Sequence, residues 1–440
     1  MIRSSRRALW GSALLLVSCS TALQVSSPQP NDPALEPEQP SAIDSASPAV
    51  SASADIAPAH TAPSAPMNVV LITIDSLRAE MPWTGYSRPI APRLTEFSKK
   101  SVVYTHAYSV SSVTAKSIGG MLASKYPSEM FRSNDYFTRY LPDNLMFPEV
   151  LHDAGVKTAA AQAHWSLRAD WGYGEGIDHY HMLPNMLHGR DADSQVTSQL
   201  LTPLAIQTLD EVSTEAKDKP FFMWVHYMDP HQKYRLHSDA PAWGSKPRDL
   251  YDGEVWYTDL WVGKLLDYIE KQSWASSTAI VITADHGEIF DEHHMGGHGF
   301  ELWEALVRVP LLIKIPGVSH QTIDTPRSLI DLAPTMTALT GAHAPSSFRG
   351  QSLLGEIRGE TPLARTIICD LPEDSQATQR RAVIESPLKY MIAGRNRSPR
   401  LFDIERDPSE TNDLRQQQPS DFQRLEQVAA GIKELKPKKL

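Results

Sequence analysis

Apolar residues are gathered into a few unbroken runs along this chain. Val69 to Ile74, Phe221 to Val225 and Ala279 to Thr283 are almost wholly valine, isoleucine, leucine, alanine and aromatic residues. Runs of this length, bounded by polar residues, predict strands buried on both faces of a sheet. Between them lie helical patterns. "DGEVWYTDLWVGKLLDYIEKQ" puts Val255, Leu260, Val262, Leu265, Leu266 and Ile269 near a helical period. "NLMFPEVLHDAG" predicts a second helix stopped by Gly155. Such alternation predicts an α/β fold, a mostly parallel central sheet sandwiched by helices. Past residue 344 the pattern shortens to "RTIICDL", "RRAVIES", "LKYMIAG" and "RLFDIER", which predict a small C-terminal antiparallel subdomain. The expected organisation is a catalytic α/β domain over 67–344, the antiparallel subdomain over 345–415, and a helix and tail over 416–440. The closing "LKPKKL" reads as a solvated basic end.

The first residues have a different pattern. Arg3, Arg6 and Arg7 precede "ALWGSALLLVS", too short to span a bilayer as a mature helix and laid out like an export signal over 1–19. "LVSC" resembles a bacterial lipobox, which implies cleavage before Cys19, lipid on its sulfur, and anchorage to the cell-envelope membrane. Ser20 next to that cysteine implies the outer membrane. From Ser20 to Pro66 the chain is rich in Ala, Pro and Ser, a composition expected to stay disordered as a tether. The other cysteine, Cys369, lies in an apolar run and is expected to be buried, with no intramolecular disulfide. At 440 residues the chain can bury a large core, and its net charge of −10 argues against a nucleic-acid binder, which would normally carry a basic face.

The candidate chemistry sits where the apolar runs stop. Asp75 follows the first, Asp229 and His231 the second, and Asp285 and His286 the third. Ligand sites of open α/β sheets lie beyond the carboxyl ends of the strands. A carboxylate on one strand and an Asp-His pair on its neighbour can grip a divalent ion, or can simply cap strand ends by hydrogen bonds. His298 lies between glycines in "GGHGF", where a close approach to an anion is open. His226 alternates with the buried strand pattern and reads as structural, and His293 and His294 as loop residues. The stretch Ser109 to Gly120 holds four serines and Thr114 ahead of a predicted helix. A hydroxyl there faces exposed N–H groups that favour an anion, or it is the helix cap.

Taken together, "NVVLITIDSLRAE", "FFMWVHYMDPHQKY", "VITADHGEIFDEHHMGGHGFELWEALVRVPLLIKIPG", "SLIDLAPTMTALTG" and "LFDIERDPSETNDL" resemble, in order, the sulfatase family of the alkaline-phosphatase-like superfamily. The resemblance runs from Met67 to Leu414. It implies one divalent metal ion (Mn, Zn, Ca or Mg) held by Asp75, Asp285 and His286. Ser76 stands where family members carry a second acid, and the Asp-His pair is similar to the phosphonate and phosphodiester hydrolase branch. His231 and His298 fall on positions that bind the anion or protonate the leaving oxygen. "TAKSI" occupies the place of the Cys/Ser-x-Pro-x-Arg signature matured to formylglycine. Thr114 falls on the nucleophile, Lys116 on the proline, Ser117 on the retained serine and Ile118 on the arginine. A threonine at this place implies a covalent threonine ester in place of an aldehyde hydrate. Lys116, Ser117 and Asp229 are expected on the substrate side. The implied activity is metal-dependent hydrolysis of a sulfate or phosphate ester of a glycan, lipid or small molecule. Two others share these residues: phospho-group transfer to a cell-surface glycan or lipid, and anion binding without turnover.

Overall fold

A computed structural model describes residues 65–187, 195–394 and 396–439. The export signal, Cys19 and nearly all of the expected tether lie outside the described residues.

The strands are β1 (Asn68–Ile74), β2 (Val102–Tyr108), β3 (Lys157–Gln162), β4 (His179–Met182), β5 (Phe221–Tyr227), β6 (Thr278–Ala284), β7 (Arg308–Lys314), β8 (Gln321–Ile323), β9 (Arg327–Ser328), β10 (Ile367–Leu371), β11 (Arg380–Glu385), β12 (Leu388–Ala393) and β13 (Ser398–Asp403). The first nine form one sheet in the order β4-β3-β5-β1-β6-β7-β2-β8, with β9 beside β2. All pairings are parallel except the two made by β7, which runs against β6 and β2. The three apolar runs are the adjacent centre of this sheet, β5-β1-β6, and each of their residues is buried.

The helices are α1 (Pro92–Ser98), α2 (Thr114–Ala123), α3 (Phe147–Asp153), α4 (Ser198–Ala216), α5 (Pro247–Glu270), α6 (Glu304–Val307), α7 (Leu332–Leu339), α8 (Leu354–Ile357) and α9 (Pro419–Ala430). They pack in two groups, α1, α4 and α5 together, and α2, α3 and α7 together, which flank the sheet. Strands β10 to β13 form the expected antiparallel sheet. It docks on the main body where Asp370 N donates to Val110 O at 2.7 Å. The described residues thus pack as one compact unit.

The lysines of the C-terminal tail are exposed, as expected of a solvated basic end, but its backbone is tied to the body. Leu435 N donates to Ser128 O, Lys438 N to Arg132 O, and the Arg132 guanidinium to Leu435 O, each at 2.8 Å. The tail is stitched to residues 128–132 because its backbone supplies donors and acceptors for that buried segment, a pairing that composition alone does not reveal.

Register brings the chemistry together. Ile74 of β1 lies beside Tyr227 of β5 and Ala284 of β6. One residue further, Asp75 and Asp285 emerge at the same level of neighbouring strands, although 210 positions separate them in sequence. Asp75 N still donates to Tyr227 O at 2.8 Å, so the strand end holds the acid in place.

Candidate active site

Asp75 is completely buried, and the chain turns sharply after it. Ser76 adopts a left-handed backbone with φ 56°, rare for a residue with a side chain. That turn aims Ser76 N at Asp285 Oδ1 (3.2 Å) and Ser76 Oγ at Asp75 Oδ1 (2.9 Å). Tyr251 Oη, from α5, donates to Ser76 O at 2.9 Å and pins the turn. Ser76 therefore supports both acids where the family resemblance expects another acid.

On β6, Asp285 Oδ1 also accepts from His286 N at 2.9 Å, while Asp285 Oδ2 is buried with no hydrogen-bond partner. His286 Nδ1 lies 2.9 Å from the Gly287 carbonyl. A carbonyl only accepts, which assigns the ring proton to Nδ1 and turns the Nε2 lone pair inward. His286 Nε2 sits 3.7 Å from Asp75 Oδ1 and 3.5 Å from Asp285 Oδ2. A side chain at Gly287 would place its Cβ 2.1 Å from Ala305 O, so the close packing behind this loop requires glycine.

Asp75, Asp285 and His286 each offer one ligand atom within 4.8 Å of the others. Burial and the neighbouring Asp75 push the Asp285 carboxyl above its usual range. Burial also acts to raise Asp75, but His231, His226, His286 and His164 outweigh it and hold this acid well below that range. Two buried carboxylates, an imidazole lone pair and an orphaned carboxylate oxygen fit a divalent cation.

Thr114 opens α2. The residue at the cap position is Val113, and no side chain caps this helix, so Thr114 is not the cap. Its Oγ1 lies 3.3 Å from Asp75 Oδ2 and 3.2 Å from His286 Nε2. The hydroxyl joins the two candidate ligands at the start of a ten-residue helix.

Two further expected residues meet here. His298 Nδ1 donates to the Glu288 carboxylate at 3.1 and 3.2 Å, and its ring centre is 4.4 Å from that of His286. His231 Nδ1 donates to Gln232 O at 2.7 Å, and its ring lies 4.7 Å from His298. Burial pushes the His298 pKa below the ordinary imidazole value, against the pull of Glu288.

Three expected substrate contacts are engaged elsewhere. Asp229 accepts from Thr197 N (2.6 Å), Thr197 Oγ1 (2.6 Å) and Ser198 N (2.8 Å), so it caps the start of α4. Lys116 is fully buried, 2.5 Å from Asp374 Oδ2, and its remaining reach goes to Tyr136 O. Ser117 Oγ donates to Asp285 O at 2.6 Å and so supports a ligand strand.

Two histidines of the cluster were not expected from sequence. His226 Nε2 lies 3.4 Å from Asp75 Oδ2, with Nδ1 held by Thr73 Oγ1 at 2.8 Å. His164, just past β3, places Nε2 3.9 Å from the same oxygen, and Ser166 N donates to its Nδ1 at 3.2 Å. Burial drives the His164 pKa down to about 3. The signal that marked Asp75, a titratable residue just past a buried strand, also marks His164. The alanine-rich "KTAAA" hid that strand. A cavity of about 960 Å3 opens nearby, lined by Arg78, Tyr86, His293, Trp303, Arg400 and Glu410, but none of the clustered residues lines it.

Residues 67–342 match the model of the sulfatase family. This chain belongs to the sulfatase family. A curated relative, an ulvan-active sulfatase of Formosa agariphila, is 26% identical over 68% of this chain and 66% of its own length, just under two thirds. A choline-sulfatase of Rhizobium meliloti is 24% identical over 79% of this chain and 82% of its own. The solved structure of Ps i-CgsB superposes with a TM-score of 0.70 at 20% identity, covering 85% of this chain and 95% of that one, and shares the fold. The same protein has been solved with k-i-k-neocarrahexaose, and a further neighbour with its substrate D-glucosamine-2-N,6-O-disulfate.

Proposed function

We propose that this sulfatase-family chain hydrolyses sulfate esters carried on a carbohydrate, with Thr114 as the nucleophile. The observation that carries the reading is the placement of Thr114 Oγ1 within 3.3 Å of both Asp75 Oδ2 and His286 Nε2. A divalent ion held by Asp75, Asp285 and His286 would supply positive charge against the hydroxyl and the anionic ester.

Asp75 Oδ2 is placed to take the Thr114 proton, and the N-terminus of α2 favours the resulting oxyanion. Thr114 Oγ attacks sulfur, and the bond from sulfur to the leaving oxygen breaks. His298, oriented through Nδ1 by Glu288, donates a proton from Nε2 to that oxygen, with His231 beside it as the alternative donor. Water then attacks the sulfur of the threonine ester, releases sulfate and restores the hydroxyl.

A rim of rings supports a sugar-bearing substrate. Trp165 stacks on His164 at 6.3 Å, Phe137 meets Trp165 at 4.5 Å, Tyr136 meets Phe137 at 5.1 Å, and Phe300 stacks on Tyr136 at 6.1 Å. Phe300 is exposed although it is large and apolar. Flat half-exposed rings beside an anion site suit the apolar faces of pyranose rings. The glycan-bound neighbours agree with this choice of substrate class.

The test is a panel of sulfated oligosaccharides, aryl sulfates, phosphodiesters and phosphonate esters, with free sulfate and phosphate measured. Thr114→Ala is expected to lower kcat/KM about 1,000-fold or more. The wild type, quenched during turnover, is expected to carry a sulfo group on the Thr114 peptide. Full activity of Thr114→Ala would overturn the nucleophile, and turnover of phosphodiesters alone would overturn the sulfate substrate.

A further inference from the structure

We infer that the edge of the sheet carries a second metal site, independent of the candidate active site, in which His179 and His181 of β4 and Glu211 of α4 bind one zinc ion. Among the described residues strand β4 is the end of the main sheet and pairs only with β3. Residues two apart on a strand face the same way, so both imidazoles project from one face, and their rings stack 6.4 Å apart at 18°. The helix packed against that face is α4, which presents Glu211 and, one turn on, Glu215.

One ligand atom from each of His179, His181 and Glu211 lies within 4.8 Å of the other two. His181 Nε2 is 2.8 Å from Glu211 Oε2. Glu211 Oε1 is held from the other side by Gln207 Nε2 at 2.9 Å, which fixes the carboxylate toward the histidines. His179 Nε2 is the telling atom. It is sealed from solvent and has no hydrogen bond, although Glu215 Oε1 lies 3.1 Å away out of line. A ring nitrogen shut off from water, with a carboxylate oxygen close by but no hydrogen bond made, suits a metal ion, which takes its lone pair without needing a donor hydrogen.

Two imidazoles and a carboxylate form a donor set that suits zinc and leaves a position for water or a fourth ligand. Glu215 is close enough to supply it, in competition with Lys157, whose Nζ is 3.7 Å from Glu215 Oε2. The ion would clasp the short edge strand to α4, a role in the fold and not in the chemistry. Zinc fits this role because it has no redox chemistry and tolerates a closed four-coordinate shell.

The test uses the full purified chain, stripped with a chelator and titrated with Zn2+. Bound zinc is read by calorimetry and metal analysis, and folding by the thermal unfolding midpoint. The His179→Ala/His181→Ala variant is expected to lose one equivalent of zinc, with affinity at this site falling about 100-fold or more. It should also lose the zinc-dependent rise in unfolding midpoint that a ligand specific to the folded state produces. Ester hydrolysis should stay within about twofold of wild type, because no change reaches the Thr114 cluster. Glu211→Gln, a milder change on the helix, is expected to weaken the same equivalent if the double variant folds poorly. The inference is overturned if folded variants bind as much zinc as wild type, or if all zinc bound by wild type disappears in Asp285→Asn.

Discussion

Two buried aspartates in this molecule have opposite surroundings. Asp370, in β10, is fully saturated. Its Oδ1 accepts from Ser128 Oγ (2.9 Å), Arg381 Nε (3.1 Å) and Arg381 Nη2 (3.0 Å), and its Oδ2 accepts from Ser128 N (2.7 Å). Asp285, in the candidate site, is equally inaccessible but faces another carboxylate and leaves Oδ2 without a partner. Both burials cost desolvation. Asp370 recovers that cost inside the chain and joins the small sheet to the main body. Asp285 recovers part of it through Ser76 N and His286 N on Oδ1, but its Oδ2 is left for something positive to satisfy. Buried charge alone therefore does not tell the candidate site from the structural junction; unsatisfied buried charge does.

The same substitution at the two positions should give opposite signs. Asp370→Asn leaves Arg381 buried without its counter-charge, and is expected to destabilise the fold by about 3–5 kcal/mol. Denaturant unfolding followed by circular dichroism measures this, and a loss under about 1 kcal/mol would mean that the Ser128 hydrogen bonds, not the ion pair, hold the junction.

Asp285→Asn keeps an oxygen for Ser76 N and His286 N and removes the charge opposing Asp75. In chelator the variant is expected to be more stable than wild type, by about 1–3 kcal/mol, the scale of one unpaired buried group. Ester hydrolysis and the stabilisation by divalent ions at this cluster should both disappear. If chelated Asp285→Asn unfolds more easily than wild type, the carboxylate is a structural member like Asp370, and the comparison fails.

How much of this contrast was legible beforehand depends on distance along the chain. Asp75 and Asp285 announce themselves, because each follows a run apolar enough to be a central strand, and parallel strands then bring their ends level. Thr114 was legible by its place ahead of a helix, and the family resemblance raised it above the neighbouring serines. His164 was not, because alanines give a strand too little apolar weight to stand out. His226 is buried in its strand as expected, and its place near the strand's end also brings its ring to Asp75, which the alternation pattern alone does not show. Lys116 and Asp229 were assigned to substrate by their neighbours in sequence. Their partners, Asp374 and the start of α4, lie 258 and about 30 positions away. Which charge is consumed by a distant partner is a property of packing, and that information is not local.

Glu292 gives the comparison a third, solvent-facing case. Its Oε1 is 2.8 Å from Arg78 Nη1, its Oε2 accepts from Phe290 N at 2.7 Å, and its side chain is 38% exposed. Burial acts to raise its pKa, but Arg78 and the backbone donor outweigh it and hold the carboxyl at about 2. Because the folded value lies below the ordinary glutamate value near 4.3, the pair stabilises the fold at neutral pH. That contribution is lost as pH falls from about 4 to about 2, where the unfolded and then the folded carboxyl take up a proton. Solvent screening reduces it to about 1 kcal/mol. Glu292→Gln should therefore be less stable than wild type by about that much at pH 7, with the two converging near pH 2 if both remain folded. A difference that stays constant across this range would assign the effect to the packing and hydrogen bonding of the side chain and not to its charge, since only the ionic contribution of Glu292 titrates. The three acids would then differ by their hydrogen bonds alone, and unsatisfied charge would no longer distinguish Asp285.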